Sequence, residues 1–136
     1  MITVSICEDE TYFMSELRKL LNEYCSLREI QTSILTFSNG EELLASNRVS
    51  DIILMDIKLP GDNGMKTVQR LRDIGNHSQV IFVTSFQQYV FRAFDVDAVH
   101  YILKPISAGK LFPAMDKAIK RISLNSGKTF LITNGT

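Results

Sequence analysis

An α/β domain with a five-stranded parallel sheet and helices on both faces is predicted by three features of the sequence. Five short apolar runs alternate with five longer, mostly amphipathic ones. Parallel neighbours need crossover connections, and a helix-sized segment separates each short run from the next. The 136 residues suit one such domain, with enough chain to close a core without disulfides or a structural metal.

The strand candidates are Ile2 to Cys7, Ser33 to Phe37, Asp51 to Met55, Val80 to Thr84 and Val99 to Leu103. The first helix is carried by Phe13, Leu17, Leu20, Leu21 and Tyr24, whose spacing lays one apolar stripe on a cylinder. Ser38 and Glu41 read as an S-x-x-E capping box opening the second. The third carries Met65, Val68, Leu71 and Ile74, with Gly75 as its C-terminal stop. The fourth, near Gln87 to Phe94, is weakly patterned. A fifth begins around Ser107 and puts Leu111, Met115, Ala118, Ile119 and Ile122 on one face. Pro113 lies inside it, where its missing N–H predicts a kink or a delayed start.

A hydrophobic content of 45% and a charged content of 22% are those of an ordinary soluble globule. Fifteen basic residues balance fifteen acidic ones, so no global field draws the chain to nucleic acid or an anionic membrane. Cys7 and Cys25 form no CxxC or metal spacing and are expected as reduced thiols in a cytoplasmic protein. The opening "MITVSICEDE" has no basic leader followed by a long apolar stretch, and no run of eighteen apolar residues occurs. Neither export nor membrane insertion is expected.

In a parallel sheet, function collects beyond the carboxyl ends of the strands. Those ends are distinctive here. The first strand closes in Glu8-Asp9, the third in Asp56, the fourth in Thr84-Ser85 and the fifth in Lys104-Pro105. One crevice would therefore gather three carboxylates, two hydroxyls and an ammonium. Two unit charges about 5 Å apart cost roughly 3 kcal/mol at an effective dielectric of 20, so a cation must offset the acids or one must take up a proton. Oxygen donors without His or Cys select a hard ion, and Mg²⁺ is the natural candidate. Such a site can clamp a phosphoryl group, with Lys104 and Thr84 on its oxygens and Asp56 as nucleophile. Taken singly, each residue is ordinary: Asp before Pro-Gly is turn chemistry, Thr84 strand filler, Lys104 surface charge. His77 and His100 lack ligand spacing and are expected to be exposed or simply hydrogen-bonded.

The stretches "ICEDE", "ILMDIKLPGDNG", "VIFVTS" and "HYILKPI", in this order, resemble the receiver domain of bacterial two-component response regulators over residues 1–124. The resemblance implies a flavodoxin-like, CheY-like (βα)5 fold with strand order 2-1-3-4-5. It implies that Asp56 is the phosphoacceptor and that Asp9, Asp56 and the main-chain carbonyl of Lys58 hold Mg²⁺. Glu8 would act through a metal-bound water, and Thr84 and Lys104 would contact the phosphoryl group. The Lys104-Pro105 peptide would be cis. A sensor histidine kinase would be the donor, and the chain itself would not be a turnover enzyme. "QQYVFRAFDVDAVHYILKPI" further resembles receivers with a LytTR-type, DNA-binding output domain, and residues 125–136 read as a linker or the opening strand of such a domain, absent here.

In that family phosphorylation draws the hydroxyl, here Thr84, inward, and Tyr101 follows. The face made by the fourth helix, fifth strand and fifth helix then pairs with a second copy, so a homodimer is implied. Tyr89, Phe91, Phe94 and Phe112 are candidates for that face, with at least half of them expected to pack inward. Lys58 and Phe86 depart from the commoner pattern at the two positions flanking the path of an attacking water, and a long-lived phosphoryl adduct is expected. A Mg²⁺-dependent aspartyl phosphatase is disfavoured because Asp56-Ile57-Lys58 lacks the second acid of Asp-x-Asp. Flavin binding is disfavoured by the acidic "CEDE" turn, and a pseudo-receiver by the full acidic set.

Overall fold

The computed structural model describes residues 1–126, with side chains through Leu124. Strands β1 (Ile2–Cys7), β2 (Thr32–Phe37), β3 (Ile52–Met55), β4 (Gln79–Thr84) and β5 (His100–Leu103) alternate with helices α1 (Thr11–Arg28), α2 (Gly40–Ala45), α3 (Gly64–Asp73), α4 (Val90–Asp95) and α5 (Ala108–Ser126). A 3₁₀ turn, Gln87–Tyr89, leads into α4. The strands form one parallel sheet in the order β2-β1-β3-β4-β5, the CheY-like arrangement.

Alternation along the strands splits the core in two. On one face Val4, Ile6, Leu54, Ile81, Val83 and Ile102 meet Leu17, Leu21 and Tyr24 of α1 and Leu111, Met115, Ala118 and Ile119 of α5. On the other, Cys7, Ile53, Met55, Val80 and Phe82 meet Leu43 of α2, Met65, Val68 and Leu71 of α3, and Ala93 of α4. Strand β3 is buried at every position because helices cover both of its faces.

Two local expectations need correction. The cap of α2 is Asn39, whose side chain accepts from Glu42 N–H at 2.8 Å, while Glu42 Oε1 accepts from Ser38 N–H at 2.9 Å. Both N-x-x-E and S-x-x-E were available, and the later one caps the helix; Gly40 opens it, where a Cβ would meet Thr67 Oγ1 at 2.0 Å. Ile74 faces solvent because α3 stops at Asp73. There Gly75, at φ 83°, and Asn76 donate to the carbonyls of Arg72 and Leu71, a complete Schellman stop. Pro113 does not delay α5, which begins at Ala108 with the N–H groups of Lys110 and Leu111 turned to Ser107 O. The helix runs to Ser126, and the expected opening strand at 127–136 lies outside the described residues.

Candidate functional site: the carboxyl edge of the sheet

Register brings the acids together. Cys7 pairs with Met55 at the last step of β1 and β3, and Asp56 N–H extends the ladder by donating to Cys7 O at 3.0 Å, so Glu8 and Asp56 leave the sheet side by side. Thr84 pairs with Leu103 across β4 and β5, and Lys104 N–H donates to Thr84 O at 2.9 Å. That step fixes where the lysine stem starts.

The Lys104 ammonium sits between the two carboxylates. Its Nζ donates to Asp56 Oδ2 at 3.0 Å and lies 2.9 Å from Glu8 Oε1, an ion pair not aligned as a hydrogen bond. The three side chains are 5%, 4% and 1% exposed, in the order Lys104, Asp56, Glu8. Glu8 Oε2 accepts from Glu10 N–H at 3.1 Å, and Asp56 Oδ1 receives only a long contact, 3.4 Å, from Lys58 N–H. Burial raises the Glu8 carboxyl above its ordinary value, against the lowering effect of Lys104 and Glu10 N–H. Burial alone would discharge Lys104, but Glu8 and Asp56 outweigh it and hold its amine above the usual lysine value.

Asp9 is exposed and is not a partner of the ammonium; its carboxylate groups with those of Glu8 and Glu10, one oxygen of each lying within 4.8 Å of the others. Thr84 is fully buried and its Oγ1 accepts from Phe86 N–H at 3.3 Å. Tyr101 donates its hydroxyl to Phe86 O while its ring tilts against Phe82, so the tyrosine already reaches the loop after β4. The Lys104-Pro105 peptide is cis. Lys58 and Phe86 line one cavity of about 230 Å³ with Ile57, Leu59, Asn63, Gln88 and Tyr89.

Two participants were not legible in the sequence. Glu10 joins the acidic group because the chain turns into α1 at that residue. Phe13 belongs to the apolar stripe, yet Lys104 Nζ stands 3.8 Å from its ring centroid. A spacing pattern says which side of a helix is greasy, not that an ammonium from a strand more than ninety positions away will rest on it. Of the four candidate aromatics, Tyr89 and Phe112 pack against the core, whereas Phe91 and Phe94 are 79% and 78% exposed on α4.

A (βα)5 sheet carrying a buried acid–lysine cluster at its carboxyl edge is the architecture of a signalling receiver. The sequence profile of the response regulator receiver domain matches residues 4–116, and the chain belongs to that family. Similar proteins include the sensory transduction protein LytT of Bacillus cereus, 32% identical over 121 residues that make up 89% of this chain and 48% of that protein. The positive alginate biosynthesis regulatory protein of Pseudomonas aeruginosa is 34% identical over 119 residues, 86% of this chain and 47% of that protein. The chain thus spans about half the length of the curated relatives it matches. Among solved structures, the response regulatory domain of protein mrkE from Klebsiella pneumoniae superposes with a TM-score of 0.79 at 26% identity, covering 88% of this chain and 97% of that one. The signal receiver domain of a modulated diguanylate cyclase from Desulfovibrio desulfuricans G20 gives 0.76 at 31% identity, covering 92% and 98%. No described helix is long and apolar enough to cross a membrane.

Proposed function

We propose that this receiver domain accepts a phosphoryl group on Asp56 from a sensor histidine kinase, and that residues 1–124 are the unit that does so. The observation that carries the reading is the Lys104 ammonium held at 3.0 Å from Asp56 Oδ2 and 2.9 Å from Glu8 Oε1, buried at the carboxyl edge of the sheet. In the transfer a carboxylate oxygen of Asp56 forms the new P–O bond as the P–N bond to the donor imidazole breaks, and that nitrogen takes up a proton. Lys104, already charged, moves onto a phosphoryl oxygen without needing a proton. Thr84 turns its hydroxyl from Phe86 N–H to another.

The donor set suits Mg²⁺: oxygen atoms only, with one buried Glu8 oxygen lacking a hydrogen bond. Glu8, Asp9, Asp56 and the carbonyl of Lys58 would hold the ion, Glu8 through water. When bound, it would supply positive charge for the phosphoryl oxygens. Lys58 and Phe86 line one cavity next to the chain that carries Asp56, and we take them as the pair that prolongs the adduct, Phe86 by blocking an attacking water and Lys58 by engaging the phosphoryl group. Phosphate release timed in Lys58→Asn and Phe86→Ala tests that point, and unchanged lifetimes in both would overturn it.

Conversion of one charge to about two at Asp56 would pull Thr84 inward and shift Tyr101, remodelling α4, β5 and α5. Exposed Phe91 and Phe94 favour pairing of that face with a second copy. The likeness to LytT and to the alginate regulator favours a transcriptional output through a LytTR-type DNA-binding domain beyond residue 124, in the cytoplasm. The deciding experiment is incubation with acetyl phosphate and Mg²⁺, followed by intact mass. One phosphoryl per chain, lost in Asp56→Ala, is expected. No adduct, or continuous turnover of p-nitrophenyl phosphate, would overturn the reading.

A further inference from the structure

Lys104 has three partners, and two of them are the carboxylates already described. The third is the face of Phe13, whose ring centroid lies 3.8 Å from Nζ. A cation this close to an aromatic face is attracted by the ring quadrupole, more strongly where water is excluded. Water is largely excluded here, since the lysine side chain is 5% exposed. An ammonium has three donors to satisfy. One is aligned on Asp56 Oδ2, and the contact with Glu8 Oε1 is electrostatic without hydrogen-bond alignment. A negatively polarised ring face is the natural complement.

The ring is half-buried and is carried by a helix whose anchoring lies away from the acids. Phe13 stands in the first turn of α1, a helix anchored by buried Leu17, Leu21 and Tyr24. Tyr12 packs against it edge to face, with centroids 5.2 Å apart and planes at 76°. Asp56 Oδ2 is the contact that phosphorylation replaces, because the ammonium must then shift from the carboxylate to a phosphoryl oxygen. Phe13 is the partner that stays the same. While the four-carbon stem makes that shift, Glu8 and the ring are the two contacts that do not change.

We propose that Phe13 is a positioning residue for the phosphoryl chemistry: its ring face keeps the Lys104 ammonium over the acidic crevice before and after Asp56 reacts. The proposal rests on the phosphoacceptor reading. Helical spacing accounts for an apolar side chain at position 13, but a leucine would satisfy that. The ring is what needs explaining.

The test compares the wild-type chain, Phe13→Leu, Phe13→Tyr, Phe13→Trp and a series carrying one, three or five fluorines on the Phe13 ring. Three quantities are read: the rate of acetyl phosphate uptake by intact mass, the thermal midpoint, and the NMR shift of the Lys104 ε-methylene without phosphoryl donor. We expect Phe13→Leu to be slower by about five- to thirty-fold, with Tyr and Trp close to wild type. Rates should fall stepwise with fluorination at little change in midpoint. The ε-methylene should be shifted upfield by the ring current in every aromatic variant and return to its ordinary position in Phe13→Leu.

A Phe13→Leu chain that matches wild type in rate overturns the proposal. So does a flat fluorine series beside a slow leucine variant, which would make position 13 a packing residue only, or an ε-methylene with no ring-current shift. If wild type shows that shift yet takes up no phosphoryl group, the phosphoacceptor reading fails, and the positioning role fails with it.

Discussion

A β-carbon added to Gly64 would stand 1.8 Å from the carbonyl oxygen of Asp56, while Gly64 N–H donates to Ile57 O at 2.7 Å. The glycine after Asn63 thus lets the start of α3 fold back onto the backbone of the acid itself. Gly64→Ala forces that backbone to move. A loss of roughly 1–3 kcal/mol is expected from overpacking, together with slower uptake from acetyl phosphate. Urea unfolding and intact mass measure the two effects on one sample.

Lys104→Met removes the cation between two buried carboxylates. The remaining acids repel, and stability at low metal should fall by about 3 kcal/mol. The same change removes the charge that competes with a divalent ion, so Mg²⁺ should bind on the order of tenfold more tightly. Its addition should recover much of the lost stability. Calorimetric titration with Mg²⁺, set beside thermal midpoints with and without it, checks both signs. Equal affinity in variant and wild type would remove the acids near Lys104 from the metal site.

Both cysteines should be silent in the folded protein. Burial and the neighbouring carboxylates push the Cys7 thiol up to about 12, and burial raises Cys25 as well. At pH 8 almost no thiolate is then present at Cys7, the Cys25 thiolate is suppressed in the same direction, and both residues are buried. Ellman's reagent should react with both only at the rate of unfolding, and at once in denaturant.

Helices α1 and α5 are joined by Asp116, which accepts from Tyr24 Oη at 2.6 Å and from Arg28 Nε and Nη2 at 3.1 Å each. Burial acts to raise the Asp116 carboxyl, but the Arg28 and Tyr24 contacts outweigh it and hold it below the usual aspartate value. A depressed folded value means stability that is fully present above the unfolded pKa and lost as pH falls through the folded one. The pair is about half exposed on the Asp side, at 48%, so the effect should be no more than about 1 kcal/mol. Urea midpoints between pH 5 and pH 2 should fall less steeply in Asp116→Asn than in wild type.

Phe91→Ser combined with Phe94→Ser should leave uptake at Asp56 unchanged, because both side chains face solvent on α4. Sedimentation after phosphorylation should show a dimer for wild type and a monomer for the variant. A dimer in both would move the pairing surface elsewhere.

Strand identity and order of function-bearing ends were readable because buried parallel strands leave short unbroken apolar runs, and "IILM" stops where Asp56 begins. The same logic recovered the α5 stripe residue by residue. Helix ends were harder. Ser38 and Asn39 are both good caps followed three residues later by Glu, so the local pattern alone does not choose between them; the structure uses Asn39. Ile74 obeys the periodicity of α3, but the Schellman stop ends the helix before its side chain can turn inward. Within the site, Glu8, Asp56 and Lys104 were legible as strand ends. Phe13 and Glu10 were not, because their roles come from how α1 lies across the sheet edge.

Tyr101 sits in β5, a four-residue strand at the rim of the sheet, and Lys104 directly follows its last residue, whereas Glu8 and Asp56 issue from the interior strands β1 and β3. Asp56 is therefore anchored on a strand paired on both sides, whereas Tyr101 and Lys104 stand at a margin paired on one side only. Substitutions along that margin can vary without displacing the backbone that carries Asp56.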